Sequence, residues 1–334
     1  MRKSSVIQLS AGVALAGGSL YIFFRSVKPK ALVHHLAATP PWIIVAAIGL
    51  TLLTLWLRSM RWGLILPASK GNRHGLFGLL MIGFMVNNFL PARLGEVTRA
   101  LFLWKRNGFT IAESAGSVII ERVLDSIVYL SFFCIPILWL PRLRAELLLA
   151  IPVAAGSAAA VLALICYAVF PAATARFCKY LVKYLPVKVQ EKVVATGKEL
   201  VSNLQWVFSP VQCLLMIASS FLIVACYACM MILLVHEEGF GFLPGMFGAA
   251  WGAIGAAIPF SPGYVGTLHV ALQKGLGLLG IDAARASSVA VLYHGIGYLT
   301  VTVAGLYFFV RMGISFKEIG RAKEELKKEE AAEK

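Results

Sequence analysis

Six stretches of this chain, at 4–24, 42–66, 114–140, 147–171, 211–235 and 286–310, are strongly apolar and carry few charges. Each is about the 20 residues that an α-helix needs to cross a hydrocarbon core of ~30 Å. Only helices and closed barrels satisfy every backbone polar group in such a medium. A barrel would show alternating strands of about ten residues with a polar inner face, and this pattern is missing. The chain is therefore predicted to be an all-α polytopic membrane protein with about six to eight transmembrane helices. Composition agrees: 59% of residues are hydrophobic and 14% charged, whereas soluble domains lie near 45–50% and about 25%.

Two other apolar runs, 76–90 and 243–259, are shorter. Each stops at a proline and leads into a Gly/Pro-containing polar stretch, then into a second, moderately apolar segment. Interrupted segments of this kind read as re-entrant hairpins that enter a membrane and turn back. Basic residues set the orientation. The stretch 172–198 and the C-terminal KEIGRAKEELKKEEAAEK are placed in the cytoplasm, and the loop HEEGFGF at 236–242, which lacks Lys and Arg, outside. The N-terminal MRK also lies inside, and the second span returns to the cytoplasm at Arg58, Arg61, Lys70 and Arg73. Arg25, Lys28 and Lys30 in the outer loop 25–41 run against this rule. The order is span, span, hairpin, span, written twice with opposite starting sides. That is an inverted-topology repeat within one membrane domain over 1–312, with halves of about 1–140 and 141–312. A charged cytoplasmic tail follows at 313–334, and 172–210 reads as an amphipathic connector lying on the membrane.

The net charge of +15 falls mainly between the apolar runs. Topology and attraction to anionic lipid account for it, and without a soluble basic domain nucleic acid is not an expected partner. The six cysteines lie in or beside apolar runs; Cys226 and Cys229 share one helical face and read as small packing residues. The first apolar run leads into RSVKPK without a convincing cleavage site, so it reads as a retained span. No P-loop, H-E-x-x-H, G-x-S-x-G or metal-ligand set occurs. Cofactors, metals and catalytic residues are accordingly not expected.

Three polar clusters interrupt the apolar sequence. In NNFLPARLGEVTRA, residues 87–100, Arg93, Glu96 and Arg99 are spaced by three and would line one side of a helix. Pro91 suits the first turn of that helix. The free N–H groups of Arg93 and Leu94 would then add positive potential for an anion. Asn87 and Asn88 would satisfy the broken backbone, and Gly95 belongs to the hinge. In ERVLD, Glu121 and Asp125 are four apart and face one way inside a predicted span, while Arg122 points elsewhere. Two like charges on one face require a basic partner or a shared proton; Arg93 or Arg99 is one candidate partner, and gating or proton coupling is the functional alternative. In PFSPGYVGTLH, residues 259–269, Pro259, Pro262, Gly263 and Gly266 break the helix. Ser261 and Tyr264 offer hydroxyls there, and His269 is the nearest titratable group. His294, in YHGIGY, and the small residues of GAAWGAIGAA read as packing elements.

PARLGEVTR (91–99), ERVLD (121–125) and PFSPGYVG (259–266) together resemble the flippase-like family named for the transmembrane region of lysylphosphatidylglycerol synthase, also described as UPF0104-type membrane proteins. Two features depart from the family pattern: Tyr264 and His269 stand where a second glycine and a glutamate often occur. The soluble aminoacyltransferase domain of the bifunctional synthases is also lacking, so lysyl transfer is not expected from this polypeptide alone.

The resemblance implies movement of a lipid with a polar, anionic or glycosylated headgroup between leaflets, a phospholipid or polyprenyl phosphate among the candidates. On this expectation Asn87, Asn88, Arg93, Glu96, Arg99, Ser261 and Tyr264 bind the headgroup. Glu121, Arg122, Asp125 and His269 balance charge or couple protons. The alternative is a non-transporting subunit that presents a lipid to a separate synthase or glycosyltransferase. The expected location is the plasma (inner) membrane with both termini cytoplasmic, and a homodimer is compatible with either reading.

Overall fold

The computed structural model describes residues 14, 16–25, 29–67, 71–90, 93–146, 204–258, 261–315 and 318. The expected span at 147–171, most of 4–24, the connector up to 203, Pro91, Pro259 and nearly all of the tail lie outside the described residues. Helices are the regular elements among the described residues, which contain no strand. Residues 16–25 are helical and are followed by α1 (Pro29–Ala37), α2 (Pro41–Ile65), α3 (Leu76–Phe89), α4 (Leu94–Asn107) and α5 (Ile111–Trp139). After the undescribed stretch come α6 (Pro210–Val235), α7 (Phe242–Ala257), α8 (Thr267–Leu278) and α9 (Ala283–Arg311). The outer loop predicted over 25–41 is thus partly helical: α1 carries Lys30 on a turn of amphipathic sequence, PKALVHHLA.

Local chemistry sets the helix starts. Pro41 and Pro210 occupy first-turn positions, where a missing N–H costs nothing. Thr110 and Glu113 form a reciprocal capping box at α5. The Asp282 carboxylate accepts from the N–H groups of Ala284 and Arg285 at α9.

Helices α2, α6 and α9 are each long and apolar enough to cross a membrane. Their outward faces carry exposed Val45, Trp56 and Met60 on α2, Leu214, Ile217 and Phe221 on α6, and Leu299, Val303 and Val310 on α9. Exposed apolar surface repeated along three helices is what a lipid solvent permits and water does not. The chain is an integral membrane protein.

The two short helix pairs are arranged differently. Helices α3 and α4 have 14 residues each, and α7 and α8 have 16 and 12. At ~1.5 Å per residue none reaches ~30 Å. Each pair packs arm against arm and leaves and returns at the same end of the molecule. For α3–α4 this is seen where the Asn72 N–H donates to the Asn107 carbonyl at 2.7 Å and the Asn107 amide returns a bond to Asn72. Arg106 donates to the Met312 carbonyl, which brings the end of α9 to this same end. For α7–α8, Arg285 donates to the carbonyls of Val235 and His236, and Arg142 after α5 donates to Leu279. The two pairs therefore open at opposite ends.

Their tips meet beside the middle of α9. Asn88 Nδ2 donates to Tyr298 O and Thr302 Oγ1, His294 Nε2 lies 2.7 Å from Gly263 O, and Arg93 donates to Ala256 O across the junction. Gly263 has φ +57°, and a Cβ there would stand 2.7 Å from the Asn88 carbonyl. Glycine fits both the left-handed backbone and the close approach.

Candidate functional site

Below the junction of the two tips, charged side chains from α2, α4 and α5 form a buried network. Arg58 Nη1 donates to Asp125 Oδ2 at 2.6 Å, and Arg61 Nη2 donates to Asp125 Oδ1. Arg61 also donates to Ser220 Oγ on α6. Glu121 pairs with Arg99 at 2.7 Å and with Arg122 at 2.7 Å. The Arg99 guanidinium lies 4.5 Å from the Trp62 ring centroid, and the Trp62 indole N–H donates to Ser117 Oγ.

Arg58 and Arg61 were placed at the cytoplasmic end of their span by the sequence reading. The helix ends at Ile65, within a residue of the expected span end, and both guanidiniums turn inward to Asp125. Their spacing of three puts them on one face, opposite the carboxylates of α5. The overlooked signal is the apolar WGLIL after Arg61, which keeps the helix in hydrophobic surroundings.

The Arg93–Glu96–Arg99 row is also corrected. α4 begins at Leu94, and Arg93 precedes it in left-handed conformation at φ +52°. Arg93 and Arg99 consequently point to different places. Arg93 and Glu96 are 30% and 26% exposed and stand 3.7 Å apart; Arg99 is 4% exposed and joins the buried network. Glu96 approaches Arg122 at 3.9 Å. Beyond the N–H groups of Arg93 and Leu94, to which an anion was assigned, the next two are already used: Gly95 N–H donates to Asn87 Oδ1, and Glu96 N–H to the Arg93 carbonyl. Asn87 thus satisfies the break, whereas the Asn88 amide is spent on α9. Arg122, expected to point away from ERVLD, instead folds back onto Glu121 and Asp125.

A cavity of about 840 Å³ lies over this network, within the range of small-molecule sites, about 300–1,000 Å³. Arg58, Arg93, Glu96, Arg122 and Asp125 form its charged edge, and Tyr129, Tyr227, Tyr264, Tyr293 and Tyr298 much of the remaining polar wall. Apolar residues of α7 complete it, and it reaches the surface beside exposed Ser126 and Ile254. Five arginines (58, 61, 93, 99 and 122) oppose three carboxylates (Glu96, Glu121 and Asp125) in the network and cavity edge. One surplus positive charge belongs to the buried set and one to the accessible trio Arg93, Arg122 and Glu96. Charge buried without a counterion is costly at membrane depth, so this arrangement favours an anion in the cavity.

The second tip divides its predicted residues. Tyr264, at φ +62°, lines the cavity. Ser261 does not: it is buried and donates to the Val265 carbonyl within the turn. His269 is buried as well; its Nδ1 accepts from Gly266 N–H and its Nε2 lies 3.3 Å from His294 Nδ1. These contacts, with His294 Nε2 donating to Gly263 O, suit two neutral imidazoles that pin the turn to α9. His294, set aside by the sequence reading, is the member that reaches the cavity. Gly255 packs on Thr267, Leu268 and Ala271, the contact expected of the small-residue stretch. Cys226 and Cys229 are free thiols.

A family model described as the lysylphosphatidylglycerol synthase TM region matches residues 9–305 of the chain. A UPF0104 membrane protein of Methanocaldococcus jannaschii is 30% identical over 105 residues, which are 30% of this chain and 31% of that protein. The match thus spans about a third of that relative's length.

Proposed function

Because the chain belongs to the lysylphosphatidylglycerol synthase TM region family, we propose that its lipid-related role in the membrane is to move a lipid with an anionic headgroup between leaflets. The headgroup occupies the cavity where the two hairpins meet, and the hydrocarbon chains stay in the bilayer, reached past Ser126 and Ile254. Arg93 and Arg122 contact the phosphate, and Glu96 holds both cations apart from it until a lipid arrives. The buried Arg58, Arg61, Arg99, Glu121 and Asp125 fix the geometry of the site. The observation that carries the reading is the surplus of positive charge at an accessible, membrane-depth cavity.

On this reading both hairpins are re-entrant, opening to opposite leaflets as transporters with inverted repeats do. The protein sits in the plasma membrane with cytoplasmic termini and performs no headgroup chemistry of its own. Native mass spectrometry of the detergent-purified chain tests the site. An anionic phospholipid should be retained by the parent protein and lost from Arg93→Gln. Equal occupancy in the two, or retention of zwitterionic lipid alone, would remove Arg93 from recognition. Presentation of the lipid to a separate synthase predicts the same retention without translocation, so a flux measurement separates the two.

A further inference from the structure

His269 of α8 and His294 of α9 are joined by a chain of three hydrogen bonds whose direction is fixed by its first donor. The Gly266 N–H donates to His269 Nδ1 at 3.2 Å, so the proton of that neutral ring sits on Nε2. This nitrogen lies 3.3 Å from His294 Nδ1, which must accept. The His294 proton is then on Nε2 and is given to the Gly263 carbonyl at 2.7 Å. The chain begins and ends on two positive-φ glycines of one turn and passes through α9 between them. Each ring has a single acceptor nitrogen, and each is occupied. Neither has a lone pair left for a metal ion while the chain stands.

A further proton cannot be added without breaking a bond. On His269 it would face the Gly266 N–H, and on His294 the His269 N–H, donor against donor in both cases. No negative charge compensates. The pair is flanked by the rings of Phe23 and Tyr298, and α3 and α7 have no titratable side chain along their length. Arg93 reaches the junction only as a cation donating to Ala256 O. Arg58 and Tyr227 act on Tyr293, one residue away. Helix α1 also packs on α9 and carries Lys30, His34 and His35. Among the described residues, no charged side chain beyond the partner imidazole acts on either ring. The closed tip thus holds fewer protons than an open, hydrated one, and acid favours opening. Imidazole is the side chain suited to this near neutrality, titrating at about 6.5 when unperturbed. His294 lines the cavity and gives the proton its route, with buried His269 behind it. The other tip is tied to α9 by the Asn88 amide, which does not titrate.

Resting on the reading of the cavity as a translocation site, we propose that His269 and His294 form a proton-operated latch. Neutral, the pair holds the α7–α8 tip on α9. A proton taken up from the cavity frees that tip alone and opens the cavity toward the end at which α7–α8 opens. Lipid movement is then gated by acid through these imidazoles, while Glu121 and Asp125 stay paired with arginines.

The test is hydrogen exchange on the full-length protein in detergent at about pH 7.5 and about pH 5.5, either side of the imidazole range, corrected for the intrinsic pH dependence of exchange. Protection over 261–269 should fall several-fold in acid relative to α6; equal protection at both pH values overturns the latch. The double variant His269→Asn, His294→Gln, whose amides donate and accept but do not titrate, should lose the response, and a response that survives overturns the assignment. NMR of the parent protein with ¹⁵N-labelled histidine needs no variant. Both rings should carry the proton on Nε2 at the higher pH and become imidazolium at the lower, and a ring protonated on Nδ1 at the higher pH or neutral at both overturns the proposal. Flux of a short-chain fluorescent phosphatidylglycerol in proteoliposomes, read by albumin extraction at the same two pH values, should rise several-fold in acid. A tip that loosens in acid without flux at either pH overturns the translocation reading and supports the latch. Flux beside a tip indifferent to acid overturns the latch alone.

Discussion

Single residues fall into two groups around the cavity, charges locked into the buried network and charges left accessible at its edge. Asp125 accepts from Arg58 and Arg61 and is buried with both. Removing one partner of such a set leaves uncompensated buried charge, at a cost of about 3–5 kcal/mol. Asp125→Asn is therefore expected to lower stability by that order in denaturant or thermal unfolding in detergent. Glu96→Gln, on a partly exposed side chain, should change stability by no more than ~1 kcal/mol and alter lipid retention instead. Equal destabilisation by both would erase the distinction. The carboxylate pair of ERVLD was legible, because two acids four apart inside an apolar helix demand a basic partner. Arg99, one of the two candidate partners, does answer Glu121, whereas the part played by Arg58 and Arg61 was not legible. Arg58 and Arg61 stand near the end of a hydrophobic run, where the orientation rule already accounts for basic residues, and Arg93 leaves its helical row only because the backbone turns left-handed there.

At the scale of elements, the hairpin α3–α4 depends on a contact that no periodicity reveals. A Cβ on Gly95 would lie 1.8 Å from the Gly83 carbonyl and 2.7 Å from Asn87 Oδ1. Gly95→Ala must push the arms apart and break the Asn87 bond, and overpacking of this kind costs about 1–3 kcal/mol. Faster hydrogen exchange over 76–107 than over α6 would show it; unchanged exchange and stability would mean that the arms are not held this way. The sequence located both hairpins through proline, glycine and short apolar length, and their bounds differ from the expected ones by a few residues. It did not show that the tips touch. That contact runs through Asn88, Gly263, His294 and Arg93, whose partners are backbone carbonyls with no sequence signature.

At the scale of the whole molecule, two helix pairs opening at opposite ends place a polar cavity midway along α9. If both are re-entrant, the two ends of each pair share one side of the membrane. In a cysteine-free background, His74→Cys and Lys105→Cys should react with an impermeant maleimide from the cytoplasmic side, and Glu238→Cys and Ala283→Cys from the other. Labelling of His74→Cys and Lys105→Cys from opposite sides would make the first pair a full crossing and dissolve the inverted arrangement. Apolar length foretold the membrane class, whereas the cavity arises from side chains contributed by distant segments. That this cavity carries an anionic headgroup across the bilayer is tested most directly by flux. Fluorescent phosphatidylglycerol in proteoliposomes should become accessible to external dithionite beyond the outer-leaflet pool with the parent protein, and return to the protein-free level with folded Arg93→Gln, Arg122→Gln double variant. Accessibility equal to protein-free vesicles for the parent chain, or undiminished flux in the double variant, would contradict it.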